Sequence, residues 1–136
     1  MLGFIVRSPK RHDLRFRYTA FKGAARTEDV ILFLTELHYR YGGKVMILWD
    51  HLSAHHSAET YFCDEHPDWF EFHYLPTYSP ELNPVESCWH HIKNVSLANF
   101  VPSNDEELVQ AVMESGQRIN DWKLLPKFFK YAGIKP

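Results

Sequence analysis

Hydrophobic and polar positions alternate along the first twenty residues, as they do in a β-hairpin. Apolar side chains recur at every second position over residues 2–6 and again over residues 14–20, where Arg15 and Arg17 occupy two of the intervening positions. The polar stretch from Ser8 to Asp13 is typical of a turn. Because successive strand residues point to opposite faces, the pattern predicts a hairpin with one apolar face and one cationic face.

Beyond residue 26 the chain alternates between helical and strand-like patterns. Thr27 is a suitable N-cap for an amphipathic helix that ends at Gly42 and Gly43. The run over residues 44–49 lacks alternation, which is typical of a strand covered on both faces. The remaining patterns predict a helix from Ser57 to about His66, a strand over residues 70–74, a helix from Pro84 to about Ala98, a helix opened by a capping box at Ser103 and Glu106 with Leu108, Ala111, Val112 and Ile119 inward, and a short helix from Trp122 to Tyr131.

Strands that alternate with helices after an opening hairpin favour an α/β fold with a partly parallel sheet. The chain has 136 residues and shows no internal repeat, low-complexity tract or linker. We therefore expect one domain over residues 1–136, large enough for a core of its own.

Composition narrows the class of protein. The two cysteines, Cys63 and Cys88, are too few for a disulfide framework and form no CxxC pair, so a reducing cytoplasm is expected. No apolar run approaches the length of a membrane span and no signal peptide opens the chain, so we expect no membrane partner.

The formal net charge of −2 hides an asymmetry between the two parts of the chain. Residues 1–26 hold seven basic side chains against Asp13 alone, whereas residues 27–136 hold eight basic and sixteen acidic ones. A basic N-terminal part is consistent with contact to phosphates, and a solvated hairpin face is the equal alternative.

Two acidic residues stand at positions where ligands bind in α/β proteins. Asp50 closes the apolar run over residues 44–49, at the carboxyl end of a predicted strand. Glu86 lies in the first turn of the helix that Asn83 caps and Pro84 begins. The alternative role for Glu86 is a capping box, in which its side chain returns to the Asn83 amide.

The sequence around both acids resembles the DDE catalytic domain of transposases in the mariner superfamily, including its bacterial insertion-sequence branch. The first block reads Trp-Asp-His-Leu-Ser-Ala-His over residues 49–55, and the second reads Leu-Pro-Thr-Tyr-Ser-Pro-Glu-Leu-Asn-Pro-Val-Glu over residues 75–86, followed by Trp89 and Lys93. The resemblance extends from the opening hairpin to the C-terminus. Position 51 departs from the pattern, which often has Asn where this chain has His51.

The resemblance implies a ribonuclease H-like fold and DNA cleavage and strand transfer with two Mg²⁺ or Mn²⁺ ions. It makes Asp50 the second catalytic acid and Glu86 the third, both metal ligands, and hard oxygen ligands suit these ions. The implied partners are transposon-end and target DNA. We expect a homo-oligomer in the bacterial cytoplasm, associated with the nucleoid.

Four side chains are expected to contact DNA. Arg15 and Arg17 share one face of the hairpin, where they would meet the phosphate backbone. His55 matches the histidine that follows the second acid in the family, and it is expected to order the loop or touch DNA, with a hydrogen-bonded loop histidine of purely structural role as an equal alternative. Lys93 shares a helix face with Glu86 and could reach a phosphate, with a solvated lysine as the equal alternative.

One part of the family pattern has no counterpart. The first catalytic acid of the family lies on the first, central strand, upstream of the hairpin, and Asp13 in the hairpin turn cannot readily replace it. We therefore expect an N-terminally truncated catalytic domain that is inactive alone. Either the exposed strand edges pair directly, or a missing N-terminal segment or a full-length transposase supplies the strand. The alternative is a non-catalytic remnant or accessory subunit that associates through its sheet edge.

Histidines near the two acids raise the alternative of a zinc hydrolase. His51 and His55 would share a face if their segment were helical, but Ser53 and the strand end predict a loop, and no third ligand has recognisable spacing. The histidines concerned are His51, His55, His56, His90 and His91. Two other features are expected to be structural, namely the turn at Tyr78, Ser79 and Pro80 and the packing of Trp89 in the core.

Overall fold

The structure is a computed structural model that describes residues 2–7, 14–20 and 23–135. The predicted turn from Ser8 to Asp13, and with it Lys10 and Arg11, lies outside the described residues, as does Lys22. The elements in chain order are β1 (Leu2–Arg7), β2 (Leu14–Thr19), α1 (Thr27–Tyr41), β3 (Val45–Trp49), α2 (Ser53–Glu65), β4 (Phe70–Tyr74), a 3₁₀ turn (Pro80–Leu82), α3 (Pro84–His91), a π turn (Ile92–Ser96), α4 (Asp105–Asp121) and α5 (Leu125–Tyr131).

The chain divides into two compact units. The hairpin unit comprises Met1–Gly23 and Pro80–Pro136, and the parallel-strand unit comprises Ala24–Ser79. The expectation of a single domain over residues 1–136 stays a prediction, and each unit is described by itself.

In the hairpin unit, β1 and β2 pair antiparallel, with Ile5 opposite Phe16, Phe4 opposite Arg17 and Val6 opposite Arg15. The hairpin itself is confirmed, but its second face is mixed. Residues directly opposite each other share a face, so Phe4 and Val6 lie on the face of the two arginines. The prediction of a cationic second face was wrong because β1 carries apolar side chains on both of its faces. The alternation within β2 could not show which residues of β1 would lie beside its arginines.

The core of the hairpin unit lies between β2 and the helices α3, α4 and α5. Phe16 is fully buried, which is worth about 1.5–3 kcal/mol relative to an exposed side chain. Trp89 meets the Phe16 ring edge-on at 5.2 Å, so its predicted packing role is confirmed. The buried residues of this core are Phe16, Cys88, Ile92, Val112, Ile119, Leu125 and Phe128.

Helix α4 is fixed to β2 by a pair of hydrogen bonds from one side chain. Asn120 Oδ1 accepts from the Phe16 amide at 2.8 Å, and Asn120 Nδ2 donates to the Phe16 carbonyl at 3.0 Å. The Asn120 amide thereby takes the place of a further strand at this position of β2. One turn earlier, Gly116 leaves room for the Tyr18 ring, where a Cβ would overlap it.

In the parallel-strand unit, β3 and β4 pair in parallel, with Ile47 opposite Phe72 and Trp49 opposite Tyr74. Helix α2 covers one face of this pair, where Phe62 packs 4.9 Å from Phe70. The apolar stripe of α1 is confirmed by the burial of Val30, Leu34 and Leu37.

The other face of the parallel pair is open. Met46 and Leu48 are 66% and 53% exposed, and beside them Nε2 of His73 lies in hydrogen-bond contact with the Glu71 carboxylate at 2.7 Å. The expectation that residues 44–49 are covered on both faces was therefore wrong. An unbroken apolar run shows that both faces of a strand could be buried. In this unit the helices pack against one face only, so the other face stays exposed.

The described strands form two separate two-stranded sheets, β1 with β2 and β3 with β4. The mixture of an antiparallel hairpin, a parallel strand pair and helices is confirmed and is compatible with a ribonuclease H-like fold. A single mixed sheet is not observed among the described residues. Both expectations for the strand edges, direct pairing or a strand supplied by another segment, stay predictions.

Two predicted helix starts were displaced along the chain. Helix α2 begins at Ser53 rather than Ser57, so the predicted loop at Ser53 is the first turn of a helix. Helix α4 is capped by Asn104, whose Oδ1 accepts from the Glu107 amide at 2.8 Å, and not by Ser103 with Glu106. The Glu107 carboxylate instead accepts from the Ser103 amide.

Other boundaries differ because hydrogen bonds at helix ends are not visible in an apolar pattern. Arg26 rather than Thr27 is the N-cap of α1. The helix predicted to run to Ala98 changes to a π turn, closed by a bond from the Leu97 amide to the Ile92 carbonyl at 3.0 Å. In the C-terminal helices, Leu108 is exposed, and Trp122 precedes α5 rather than opening it.

Asn120→Ala is expected to lower the free energy of unfolding by about 1–3 kcal/mol, because both backbone groups of Phe16 lose a partly buried partner. Urea unfolding followed by circular dichroism measures the change. Asn94→Ala is the matched control, since the exposed Asn94 side chain bonds, within the described part of the chain, only to the ring of His90. Equal effects of the two substitutions would contradict the role of Asn120.

Candidate functional site

Asp50 follows β3 directly, at the carboxyl end of the parallel pair. Its Oδ1 accepts from the Leu52 amide at 3.2 Å and lies 2.8 Å from Nδ1 of His55. Half of the Asp50 side chain remains exposed, at 52%. One carboxylate oxygen is thus held by the protein, and the carboxylate is accessible to a cation or a phosphate.

His55 holds Asp50 from a buried position. Its ring lies parallel to the Trp49 indole, with centroids 4.4 Å apart, and only 8% of the residue is exposed. Nδ1 is also 3.2 Å from the Asp50 carbonyl oxygen. Because both neighbours of Nδ1 are oxygen acceptors, this nitrogen carries the proton and donates.

The expectation that His55 orders the segment after Asp50 is supported by these contacts, although the segment is a helix start and not a loop. Helix α2 places His55 in its first turn, and the strand places Asp50 three residues before that helix. DNA contact by His55 stays a prediction.

Glu86 lies in the first turn of α3, where Asn83 Oδ1 accepts from the Val85 amide at 3.1 Å. The capping-box alternative for Glu86 is wrong, because the Asn83 amide donates to the Pro80 carbonyl instead, at 3.0 Å. Glu86 is exposed, and among the described residues its carboxylate has no hydrogen-bond or ion-pair partner. The amino end of α3 favours a negative charge at this position.

Glu86 borders an open groove of about 490 Å³ in the hairpin unit. Nε2 of His91 is buried there without a hydrogen-bond partner among the described residues. Burial, and then the neighbouring His90, lowers the pKa of His91, so the neutral ring is favoured. The groove is lined by Pro80, Glu81, Glu86, Ser87, His90, His91, Phe128 and Tyr131.

Sequence reasoning did not identify this groove, although one signal was present. Glu86 and His90 are four residues apart on one helix and therefore share a face. The contribution of α5 to the groove could not be foreseen, since it depends on how two helices pack. Tyr78 lies in a turn as predicted, and it is fully exposed with a positive φ of 57°. A non-glycine residue in that conformation is uncommon.

The three cationic side chains of the hairpin unit that are predicted to contact DNA differ in exposure and in the element that carries them. Arg15 is exposed and Arg17 half-buried on the mixed face of the hairpin. Lys93 is exposed in the π turn that follows α3. A π turn changes the helical phase, so the shared face of Lys93 and Glu86 no longer follows from a spacing of seven residues.

The donor chemistry of the two acids fits the divalent ions that the sequence predicts. Both are accessible carboxylates, which suit Mg²⁺ and Mn²⁺. Asp50 belongs to the parallel-strand unit and Glu86 to the hairpin unit, so their convergence on one site stays a prediction. Over residues 2–7, 14–20 and 23–135, no three His, Cys, Asp or Glu side chains form a metal-binding group, and the zinc-hydrolase alternative, which needs at least three protein ligands, gains no support.

None of the helices in the described part of the chain has the length and apolarity that a membrane span requires.

A family model described as DDE superfamily endonuclease matches residues 4–109. The matched range begins in β1, includes Asp50, His55 and Glu86, and ends within α4. No curated protein and no solved structure matches the chain significantly.

His55→Phe is expected to release Asp50 while keeping a ring stacked on Trp49. The loss of the bond to the carboxylate should cost about 1.5–3 kcal/mol of unfolding free energy. The Leu52 amide, which donates to Asp50, should exchange its hydrogen at least severalfold faster, as measured by NMR.

Ser57→Ala, an exposed change in the same helix, is the matched control for His55→Phe. If amide exchange at Leu52 stayed at the wild-type rate in His55→Phe, the histidine would not be what holds Asp50.

Proposed function

Because the chain belongs to the DDE superfamily endonucleases, we propose that it is part of a transposase catalytic domain of the mariner-like, bacterial insertion-sequence type. Its substrate class is the DNA phosphodiester, at transposon ends and in target DNA. The observation that carries the proposal is the fixed and accessible carboxylate of Asp50 at the carboxyl end of β3.

Asp50 and Glu86 are the residues that would hold the divalent ions. When bound, Mg²⁺ or Mn²⁺ would activate a water or a 3′-hydroxyl and stabilise the leaving oxygen. The protein's own contribution is to place the two anions in advance. His55 and the Leu52 amide fix one oxygen of Asp50, and the helix start fixes the backbone of Glu86. Preorganised charge of this kind is a main source of catalysis.

DNA binding is proposed to use the phosphate backbone rather than the bases. Arg15 and Arg17 are separated by one residue on β2 and therefore point to the same side of the hairpin. Phe4 and Val6, which lie opposite these arginines on β1, make part of that side apolar and able to contact deoxyribose sugars. Lys93 is a third cation available in the hairpin unit, and His55 a more buried candidate in the other unit.

A further strand is proposed to complete the site. The sequence provides counterparts for two of the three acids of the family, and β3 pairs only with β4 among the described strands. An N-terminal segment, or a full-length transposase in a homo-oligomer, would pair with the second edge of β3 and bring the remaining Asp. The 136-residue chain by itself is then inactive.

A second candidate function is that of a non-catalytic accessory subunit. The exposed apolar side chains of Met46 and Leu48 on the open face of the parallel pair favour association with another chain. In this case the chain would bind a full-length transposase through the β3 edge but would not contribute to cleavage.

Nicking assays distinguish these functions. The 136-residue chain with Mg²⁺ or Mn²⁺ is expected to show no detectable cleavage of supercoiled DNA. Adding a polypeptide that contains the missing Asp strand should restore metal-dependent nicking. Asp50→Asn or Glu86→Gln should then lower the restored rate by about 10²–10³ or more, because a preorganised anion is lost.

Glu81→Gln is the matched control, since Glu81 is an exposed acid on the same groove as Glu86. Restored nicking that survives Glu86→Gln would rule out the assigned site. Binding of the added polypeptide without any nicking would favour the accessory subunit.

Salt dependence tests the proposed DNA contact. Log affinity for duplex DNA should fall with log salt by about 0.9 for each neutralised phosphate, so Arg15→Ala with Arg17→Ala should reduce the slope by about 1.8. Fluorescence anisotropy over a salt series measures it. Arg118→Ala, which removes an exposed cation paired with Glu114, should leave the slope unchanged. An identical slope in the double variant would mean that the hairpin does not contact DNA.

A further inference from the structure

Two histidines beside Asp50 form a close pair that the proposed cleavage chemistry does not use. Nδ1 of His51 lies 3.3 Å from Nε2 of His56, and both residues are exposed. His51 precedes α2 and His56 lies in its first turns, so the pair joins the segment after β3 to the helix.

Both histidine rings of the pair stack on the same aromatic ring. Both imidazoles stack on Tyr74, each with its centroid 4.6 Å from that of the phenol ring and interplanar angles of 18° and 14°. The two imidazole centroids are 5.3 Å apart, which places them on the same side of the phenol ring.

Tyr74 is itself fixed by a second bond. Its hydroxyl donates to the Glu59 carboxylate on α2. Partial burial, and then this bond, raises the pKa of Tyr74 to about 12, so the phenol on which the two imidazoles stack is protonated and uncharged near neutral pH.

We propose that His51 and His56 form a two-nitrogen chelate for a borderline divalent cation such as Zn²⁺, Ni²⁺ or Cu²⁺. Metal–nitrogen bonds of about 2.0–2.1 Å at a tetrahedral angle put two ligand nitrogens about 3.3–3.4 Å apart. The observed separation of 3.3 Å already matches this distance. A modest rotation of the exposed rings would turn both lone pairs toward one ion, and water would complete its coordination.

This site differs in chemistry from the proposed catalytic one. Imidazole nitrogen selects Zn²⁺, Ni²⁺ and Cu²⁺, whereas carboxylate oxygen selects Mg²⁺ and Mn²⁺. With only two protein ligands, the site binds more weakly than a four-ligand structural zinc site. Cu²⁺ should bind most tightly and Mg²⁺ should not compete. The bound ion would link the segment after Asp50 to α2.

Titration of the full chain with NiCl₂, ZnCl₂ and CuCl₂, each in excess MgCl₂, tests the proposal. His51→Gln and His56→Gln should each weaken binding by at least about tenfold, because a chelate needs both nitrogens. Tyr74→Phe keeps the stacking ring and should retain binding. His73→Gln, which alters an exposed histidine paired with Glu71 in the same unit, should also retain it.

A measurement on the unmodified chain avoids any folding defect of the variants. Among the nine histidines, substoichiometric Ni²⁺ should broaden the ring NMR signals of His51 and His56 first. Broadening centred on other histidines, or undiminished affinity in His56→Gln, would overturn the proposal. Displacement of Ni²⁺ by Mg²⁺ would overturn it equally.

Discussion

The hydrogen bond between His55 and Asp50 is the contact on which the candidate site depends. It joins the end of β3 to the first turn of α2, and the parallel stack of His55 on Trp49 keeps the donor buried. A buried donor has little freedom to exchange its partner for water, so the orientation of the carboxylate is set before any ligand arrives. The same short connection, only three residues between β3 and α2, brings His51 next to His56.

Periodicity predicted the type and order of the main elements, and the end of β3 directly before Asp50 and the start of α3 after Asn83 were both correct. Both positions depend on a few neighbouring residues. The apolar run of β3 stops at Asp50, and Asn83 caps α3 directly before Pro84. The site residues of the sequence analysis remain predictions as catalytic groups. What could be foreseen was their local setting, because a strand end and a helix start leave signatures within a few residues.

The errors concern partners that are distant in sequence. The face shared by Phe4 and Arg17 depends on hairpin register, and the exposure of Met46 depends on which side of β3 the helices pack. Similarly, Asn120 replaces a strand partner of Phe16 from over a hundred positions away along the chain. At Ser53, a residue interpreted as part of a loop begins a helix, since Asp50 and the Leu52 amide form a turn that leads directly into α2.

The strands β2 and β3 differ in whether the backbone groups on their outer edges have hydrogen-bond partners. Beside Phe16, β2 has its backbone satisfied by Asn120, so this point of the hairpin needs no further strand. Among the described residues, β3 has β4 on one side only, and its open face shows Met46 and Leu48. An added strand would satisfy the backbone groups at this edge, whereas the apolar side chains on the open face could be covered only by a partner that packs against the face. Since Asp50 is the residue directly after β3, any chain that pairs with this strand in parallel would bring its own carboxyl end beside Asp50. Under the proposed function, an acid at that carboxyl end would lie where a further carboxylate ligand for a divalent ion is needed.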